Sequence, residues 1–372
     1  MKILIASGGT GGHIIPAYVL SNYLINQKID TAFLTDARFF NYNLEIENKI
    51  SSLHVLKIKN YYKNKLNQII SVLKAIFETI TIIRKEKIDV VVGFGSYVSL
   101  VAILSGFLCG KKLFIHEQNK YLGLANYISS FFVDKIFVTF KDIKGIPNNK
   151  YINNFISKKI IFTGMPIREA FKSASKNPVS PRDPVLNSYM GLDKINIFIT
   201  CGSQGAKFFD EKITKSILTL PHTLKYKLHI TQQVSVENLE EIYNLYAQNN
   251  INAELNTFFR DPSFIMSKSH IVISRAGASS INELACISSV GIFIPLSSSK
   301  NNHQYLNALH MKKLHGCCIV KEENFSAYKM SQIILNLIQN PIKMGEMAFG
   351  IHQFFVPNSE EIILREIKKV VF

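Results

Sequence analysis

The amino-acid sequence predicts two α/β domains, each built on a Rossmann-like, doubly wound parallel sheet. Short apolar runs alternate with segments of helical spacing, as expected for strands that are buried in a parallel sheet and covered by helices. The alternation runs in two series, and between them Lys176–Pro184 is rich in Pro, Ser and charge. A chain of 372 residues is long enough to bury a core in each of two domains.

The first series opens with a strand, a loop and a helix. Lys2–Ala6 is predicted as a buried strand, Ser7–Gly12 as a loop, and His13–Ile25 as a helix with Pro16 in its first turn. Similar apolar runs predict further strands in this series at Thr31–Leu34, Val90–Val92, Leu113–Ile115 and Ile136–Val138. The second series predicts strands at Ile195–Thr200, Lys227–Thr231, Ile271–Ser274 and Gly291–Pro295.

The composition of the chain limits the kinds of binding partner and the cellular compartment that can be expected. The net charge of +16 indicates an anionic partner, but the basic residues are scattered without a nucleic-acid-binding motif, so no nucleic acid is expected. Five cysteines without a CxxC pair argue against a disulfide framework and a zinc site. The N-terminus reaches a glycine loop too early for a signal peptide, and no apolar run is long enough to span a bilayer. Any membrane role is therefore expected to be peripheral.

A glycine loop, Gly8–His13, joins the first strand to the first helix. Its backbone can approach a ligand closely, and the helix start favours an anion or a polarised oxygen. His13 at its end is a candidate general base, although a lone histidine is often structural. The rival interpretation is dinucleotide binding: Asp36 matches the ribose-binding acid of that fold, but Ile14 stands where its fingerprint needs glycine.

Four polar residues, His116–Asn119, follow the apolar strand Lys112–Ile115. Open α/β sheets bind ligands at the carboxyl ends of their strands, so these side chains are candidates for a site. His116 and Glu117 are adjacent and no second histidine stands at helical spacing, so a metal site is not expected. Asp-x-Asp does not occur in the sequence, which disfavours transferases that hold a diphosphate through a divalent cation.

Two glycine loops in the second half also open helices after strands, at Gly202–Ala206 and Ser274–Glu283. Backbone donors and helix dipoles at such loops suit a diphosphate without a metal. Glu283 could accept both hydroxyls of a ribose, although a helix-capping acid is the plainer interpretation. Asn301–Asn307 supplies amides that can bond sugar hydroxyls in both directions.

Taken together, these loops resemble the MurG family, bacterial transferases that add N-acetylglucosamine to undecaprenyl-diphospho-N-acetylmuramoyl-pentapeptide. Seven motifs fall in order along most of the chain: GGTGGH (8–13), FGSYVS (94–99), HEQN (116–119), GMPIR (164–168), GSQGA (202–206), SRAGASSINE (274–283) and HQYLNA (303–308). The chain departs from the family pattern at Ser96, where glycine is usual, and at Met165, where asparagine is usual.

The resemblance implies the GT-B fold, in which the two domains face a cleft. Residues 1–163 would form the acceptor- and membrane-binding domain, completed by a last helix over 344–372 that crosses back to it. Residues 164–343 would form the domain that binds the UDP-sugar. No cofactor is implied.

The resemblance also implies a set of donor contacts. Phe259 would reach uracil through its backbone, Glu283 the ribose, Ser203 and Arg168 the diphosphate, and Gln304 the sugar hydroxyls. The remaining residues implied to touch UDP-N-acetylglucosamine are Thr10, Gly11, Gly12, Asn119, Ala278, Ser279, Ser280, Ile281 and Asn282.

The implied reaction is inverting transfer to the C4 hydroxyl of lipid I, which yields lipid II for peptidoglycan synthesis. His13 is the predicted general base, with Glu117 as competitor or supporting partner. The implied partners are UDP-N-acetylglucosamine, undecaprenyl-linked lipid I, an anionic membrane surface at the cytoplasmic face of the bacterial inner membrane, and other cell-wall synthesis proteins. Two alternatives stay open: a UDP-N-acetylglucosamine 2-epimerase, and an NAD-dependent oxidoreductase resting on Asp36.

Leu66–Arg84 carries apolar residues at helical spacing with lysines nearby. This pattern predicts a basic helix that lies on a membrane surface. An ordinary helix whose apolar face covers the core is the alternative, because the same spacing occurs in any α/β domain.

Overall fold

The computed structural model describes residues 1–42, 50–56, 65–175, 194–202, 206–259 and 261–372, with the side chains of 65–68 and 206 excepted. The chain divides into two compact units, one formed by Met1–Arg168 with Val356–Phe372 and the other by Glu169–Phe355. Each unit is a parallel sheet covered by helices, which confirms the predicted fold class.

The N-terminal unit contains, within its described residues, a seven-stranded parallel sheet in the order β3-β2-β1-β4-β5-β6-β7. Its strands are β1 (Lys2–Ala6), β2 (Asp30–Thr35), β3 (Ser52–Val55), β4 (Val90–Gly93), β5 (Lys112–Glu117), β6 (Lys135–Val138) and β7 (Ile160–Phe162). Its helices are α1 (Gly11–Asn26), α2 (Lys65–Lys85), α3 (Ser96–Leu108), α4 (Leu124–Ser129) and α5 (Lys150–Ser157), with a 3-10 turn at Ala37–Tyr42. Helix α1 begins two residues before the predicted start, so Pro16 lies inside the helix and not in its first turn.

The C-terminal unit has six parallel strands among the residues described, in the order β10-β9-β8-β11-β12-β13. They are β8 (Ile195–Thr200), β9 (Leu228–Gln233), β10 (Asn252–Asn256), β11 (Ile271–Ser274), β12 (Val290–Phe293) and β13 (Cys317–Ile319). The helices are α6 (Glu169–Ala174), α7 (Ala206–Phe208), α8 (Thr214–Leu218), α9 (His222–Lys225), α10 (Leu239–Gln248), α11 (Pro262–Lys268), α12 (Ala278–Ile287), α13 (His303–Lys313), α14 (Ala327–Gln339) and α15 (Pro341–His352). A π-helical turn, Phe209–Ile213, joins α7 to α8.

Each sheet reverses its winding at one point, between β1 and β4 in the first and between β8 and β11 in the second. Ligands of open α/β sheets bind beyond the carboxyl ends of the strands at such a switch point. Three of the four strands that flank the two switch points, β1, β8 and β11, precede the predicted glycine loops, and the fourth, β4, precedes the FGSYVS motif (94–99). The topology therefore brings these loops together in pairs, one pair in each unit.

The end of the chain differs from the predicted single helix over 344–372. It forms two helices, α15 and α16 (Ser359–Val371). Helix α15 packs tightly within the C-terminal unit, where a Cβ on Gly350 would lie 2.2 Å from the Leu314 carbonyl oxygen. Only the segment from Val356 onward belongs to the N-terminal unit, and the boundary between the units falls after Arg168, whereas the sequence suggested 163.

Helix α16 completes the core of the N-terminal unit on one face of its sheet. Ile363, Leu364 and Ile367 are buried in one apolar cluster with Ile3 and Ile5 of β1. Val356, where the chain returns to the N-terminal unit, also packs closely against that unit, because a Cβ on Gly164 would lie 2.4 Å from the Val356 side chain. Gly164 has a φ of +71°, which glycine adopts without strain.

Candidate active site

Asp36, directly after β2, binds the backbone of the glycine loop that follows β1. The Asp36 carboxylate accepts hydrogen bonds from the Gly9 amide at 3.0 Å and from the Arg38 guanidinium at 2.6 Å. Burial acts to raise the pKa of Asp36, but the hydrogen bonds and charge of Arg38 hold it below its ordinary value. Gly8 has no room for a side chain, since a Cβ would meet Asp36 at 2.4 Å. Asp36 therefore shapes the loop, which explains its position without a ribose.

His13 lies in the first turn of α1, directly after this loop, and is half-buried. Its backbone amide and that of Ile14 donate to the carbonyl oxygen of Thr10, the exposed N-cap residue. The His13 Nδ1 atom lies 2.9 Å from Gln118 Oε1. Gly95 makes space for the ring, because a Cβ there would lie 3.0 Å from Nδ1. The loop after β1 and the strand end of β5 thus meet at His13.

His116, at the end of β5, is completely buried and stacks on Phe94, with ring centroids 5.1 Å apart. Its Nε2 atom lies 2.9 Å from the Gly164 carbonyl oxygen, and its Nδ1 lies 3.3 Å from Gln118 Nε2. Burial lowers the pKa of His116 to about 4, although the contact with Gly164 acts in the opposite direction. The ring is therefore neutral at pH 7.

Glu117 is also buried, and its carboxylate is occupied by donors of the loop that follows β5. Oε1 accepts from the Asn119 backbone amide at 3.0 Å and from Asn119 Nδ2 at 3.3 Å. Oε2 accepts from the Gly123 amide at 3.0 Å and from Asn126 Nδ2 at 2.8 Å. Glu117 therefore organises this loop and fixes the direction of Asn119.

The remaining predicted residues of the N-terminal unit lie around this edge of the sheet or at its boundary. Gly11 packs so close to Tyr42 that a Cβ would lie 2.8 Å from the ring, and Gly12 follows it in the first turn of α1. Arg168 is half-buried at the end of the unit, directly after Ile167, whose amide donates to Glu360 Oε1 at 3.3 Å.

In the C-terminal unit the ends of β8 and β11 are paired, with Thr200 beside Ser274. Gly202, after β8, has a φ of +66°, and a Cβ on it would meet no atom of the described residues within 4 Å. For Gly277, after β11, the described part of the chain also places no atom within 4 Å of such a Cβ. Both loops therefore leave room for a ligand against their backbones. Ser203 lies outside the described residues.

Helix α12 begins at Ala278 with the glycine N-cap Gly277, and no side chain caps it. The first intrahelical bond is donated by Ile281, so the amides of Ala278, Ser279 and Ser280 have no intrahelical acceptor. Unpaired amides at the start of a helix favour an anion. The rest of the predicted set lies further along α12: Ile281, Asn282, whose Nδ2 donates to the Ala278 carbonyl oxygen at 2.8 Å, and the buried Glu283.

Gln304, in the first turn of α13, is tied to the loop after β12. Its Oε1 accepts from the Leu296 amide at 3.0 Å, and its Nε2 has no hydrogen-bond partner among the described residues. Phe259 follows β10 and packs edge-on against Phe198 of β8, with ring centroids 5.5 Å apart. All the predicted residues of this unit that the structure describes thus follow carboxyl ends of strands.

Sequence reasoning missed the role of Arg275 in positioning these loops. Arg275 is buried, lies over the Phe209 ring at 4.9 Å, and donates to Glu322 Oε1 at 2.7 Å and to the Ile294 carbonyl oxygen at 3.2 Å. Glu322 also accepts from the Ser297 amide at 2.8 Å. The ion pair therefore ties the loop after β11 to the segment after β13, and Glu322 ties that segment in turn to Ser297 in the loop after β12. Only contact in three dimensions reveals it, because 47 positions separate the two residues.

Among the residues described, no group of three or more His, Cys, Asp or Glu side chains is placed to hold a metal ion. The same part of the chain contains no helix that is both long and apolar enough to cross a membrane.

Comparison with known proteins matches both units. The glycosyltransferase family 28 N-terminal domain matches residues 3–138, and the glycosyltransferase family 28 C-terminal domain matches residues 196–361. A UDP-N-acetylglucosamine--N-acetylmuramyl-(pentapeptide) pyrophosphoryl-undecaprenol N-acetylglucosamine transferase of Rickettsia felis is 35% identical over 348 residues, which cover 91% of each protein. The chain belongs to this transferase family. The prediction of a glycosyltransferase is thereby confirmed.

Solved structures agree on the fold. A MurG of Acinetobacter baumannii has a TM-score of 0.76 and 24% identity, with 99% of each chain covered. A UDP-N-acetylglucosamine 2-epimerase from Neisseria meningitidis, bound to UDP-N-acetylglucosamine, has a TM-score of 0.69 and 17% identity, with 99% of this chain and 100% of that chain covered. These likenesses show the fold, which is GT-B-like. Membership of the transferase family decides against the epimerase and oxidoreductase alternatives.

One departure from the MurG family pattern has a structural consequence. Ser96 occupies the usual glycine position at the start of α3 and has a φ of +70°, in the left-handed region. Its hydroxyl is buried without a hydrogen-bond partner in the described structure. The left-handed backbone at this position therefore explains why glycine is usual in the family, and a serine there is strained.

Proposed function

We propose that the chain transfers N-acetylglucosamine from UDP-N-acetylglucosamine to the C4 hydroxyl of undecaprenyl-diphospho-N-acetylmuramoyl-pentapeptide, converting lipid I into lipid II with inversion. The 35% identity to a transferase whose name gives the same donor and acceptor supports these substrates. In the reaction the acceptor oxygen attacks the anomeric carbon, the bond to UDP breaks, and the electron pair leaves with the diphosphate. A base must take the hydroxyl proton, and positive charge or donors must stabilise the leaving group.

His13 is the proposed general base, and the contrast between His13 and Glu117 is the observation that carries this assignment. In the described structure His13 Nε2 has no hydrogen-bond partner, whereas both carboxylate oxygens of Glu117 already accept two hydrogen bonds each. His13 also follows the glycine loop at the switch point of its sheet. A positioned base of this kind accelerates proton transfer by about 10²- to 10⁴-fold.

The amides of Ala278, Ser279 and Ser280, which have no intrahelical acceptor, are the proposed donors to the diphosphate of UDP. They need no reorganisation when charge develops on the leaving oxygen, and a single preorganised donor is worth about 3–4 kcal/mol in the transition state. Arg168 and Ser203 stay proposed diphosphate ligands, Glu283 the proposed ribose ligand, and Gln304 the proposed ligand of the sugar hydroxyls.

Transfer of radiolabelled sugar from UDP-N-acetylglucosamine to a short-chain lipid I analogue tests the reaction. The expected product is the disaccharide lipid, and no epimerised nucleotide sugar should form when the donor is incubated alone. His13→Ala should lower kcat by about 10²- to 10⁴-fold while the affinity for UDP stays unchanged. His222→Ala, an exposed histidine of the other unit, is the matched control. Near-normal turnover of His13→Ala would remove His13 from the role of base.

We further propose that the N-terminal unit binds an anionic membrane at the cytoplasmic face of the bacterial inner membrane through α2. Ile69, Leu73 and Phe77 are 56%, 49% and 68% exposed, so this part of the predicted apolar face does not cover the core. The opposite side of α2 does: Ala75 and Ile83 are buried in the core of the unit. One side of the helix therefore covers the core, and the apolar character of its outer face supports the proposal of an interfacial helix.

Co-sedimentation with vesicles that contain or lack anionic lipid tests the membrane proposal. Phe77→Glu should weaken binding to anionic vesicles, because it places a carboxylate on the apolar face and opposes the negative surface. Val236→Glu is the matched control, since Val236 is 74% exposed in the C-terminal unit. Equal binding of the two variants, or binding that ignores lipid charge, would contradict the proposal.

A further inference from the structure

Gln118 lies between the two histidines of the N-terminal unit, His13 and His116, and is 1% exposed. Its Nε2 amide group lies near the carbonyl oxygens of His116, at 3.2 Å, and Phe94, at 3.4 Å. Both neighbours are acceptors only, so the amide must turn its NH₂ group toward them. The opposite orientation would place Oε1 against two carbonyl oxygens inside the protein.

This orientation decides the protonation of the His13 ring. Gln118 Oε1 can only accept, so the Nδ1 atom of His13, 2.9 Å away, must carry the hydrogen. The neutral ring then has its lone pair on Nε2. A histidine base needs its free lone pair on the nitrogen that faces the substrate, and the hydrogen bond at the other nitrogen selects this tautomer.

His116 completes the arrangement from the other side. Its Nε2 faces the Gly164 carbonyl oxygen at 2.9 Å, so the hydrogen lies on Nε2 and Nδ1 accepts from Gln118 Nε2 at 3.3 Å. Burial keeps the ring neutral, as its lowered pKa indicates. A charged His116 would carry a hydrogen on Nδ1 and would repel the Gln118 amide. A neutral His116 therefore supports the orientation that Gln118 needs.

We propose that Gln118 is a positioning residue for the transfer reaction: with His116 behind it, Gln118 holds His13 in the tautomer that is protonated on Nδ1 and basic on Nε2. The inference rests on the proposed role of His13 as the base. When His13 Nε2 takes the proton from the acceptor hydroxyl, the new O–C bond forms and the electron pair of the broken bond leaves with UDP. Gln118 Oε1 keeps accepting from Nδ1–H and stabilises the imidazolium, and no proton passes to Gln118 or His116.

The ring nitrogens of His13 give a direct test that requires no substrate. In protein labelled with ¹⁵N-histidine, the His13 signals are assigned by their loss in His13→Gln. The neutral wild-type ring should show a protonated Nδ1 and an unprotonated Nε2. In Gln118→Met, which keeps the length of the side chain but lacks the acceptor, the two tautomers should mix. A wild-type ring protonated on Nε2 would overturn the proposal.

Kinetics give the second measurement. Gln118→Met should lower kcat by about 10- to 100-fold, by analogy with the loss of the hydrogen-bond partner of a metal-bound histidine. The KM for UDP-N-acetylglucosamine should not change. Thr139→Val is the matched control, because Thr139 is buried beside this network and its hydroxyl donates to the Glu117 carbonyl oxygen at 3.2 Å, outside the chain of contacts to His13.

The two failures can be told apart. Absence of sugar transfer by the wild-type enzyme would refute the proposed function, whatever the tautomer of His13. Normal transfer by wild type, with an unchanged tautomer and unchanged kcat in Gln118→Met, would refute the role of Gln118 alone.

Discussion

Glu117→Gln separates a structural carboxylate from a catalytic one. In wild type each carboxylate oxygen of Glu117 accepts two hydrogen bonds, from Asn119 on one side and from Gly123 and Asn126 on the other. An amide has one oxygen, so in either orientation its NH₂ group must face two donors. Two hydrogen bonds to a charged acceptor are lost, each worth about 1.5–3 kcal/mol, and the variant should lose about 3–6 kcal/mol of unfolding free energy.

Urea unfolding followed by circular dichroism measures this loss, with the transition of the N-terminal unit read separately if the two units unfold in separate steps. Glu78→Gln on α2 is the control, because Glu78 is exposed and should change stability by less than about 0.5 kcal/mol. The transfer assay is then run well below the unfolding transition. A Glu117→Gln variant that unfolds like wild type but has lost all turnover would refute this reasoning and make Glu117 the base.

Three further predictions concern stability. Asp36→Asn should be less stable than wild type at neutral pH. Burial acts to raise the pKa of Asp36, but the opposing effect of Arg38 is larger, so the pKa in the folded protein lies below its ordinary value. The difference in stability should therefore be complete above the ordinary aspartate pKa and should shrink as the pH falls through the lowered pKa, which urea titrations at several pH values would reveal. Ser96→Gly should raise the unfolding free energy by about 1 kcal/mol or less, because the positive φ no longer strains a side chain, and a lower melting temperature would contradict this. Gly350→Ala should cost about 1–3 kcal/mol, because the new Cβ meets the Leu314 carbonyl oxygen at 2.2 Å, and an unchanged melting temperature would show that α15 can shift.

The central strands of both sheets were predictable from the sequence, and the edge strands were not. The missed strands are β3, β7, β10 and β13, which lie at the four sheet edges. Central strands are covered on both faces and flanked on both sides, so they appear as continuous apolar runs. Edge strands are only partly covered; β10, for example, alternates exposed and half-buried residues in the sequence NAELN. Apolar content alone therefore does not identify them.

The candidate site was predictable as a set of loops but not as a set of contacts. Glycine followed by a helix signals a binding loop locally, which is why the loops after β1, β8 and β11 were identified from sequence. The contacts of Gln118 with His13, and of Arg275 with Glu322, join residues that are 105 and 47 positions apart. Spacing along the chain carries no signal for such pairs. Asp36 was misjudged for the same reason, because its partner Gly9 lies 27 positions away.

The return of α16 has a consequence for the order in which the protein is made. Ile3 and Ile5 leave the ribosome before the C-terminal unit, but Ile363 and Ile367, which cover the same face of the sheet, leave it after that unit. During synthesis, part of the apolar surface of β1 therefore stays uncovered while the whole of Glu169–Phe355 is translated and can fold. The N-terminal unit can thus be completed only after the C-terminal unit, and a chain truncated before Val356 would contain all of the C-terminal unit but would leave this face of the N-terminal sheet uncovered.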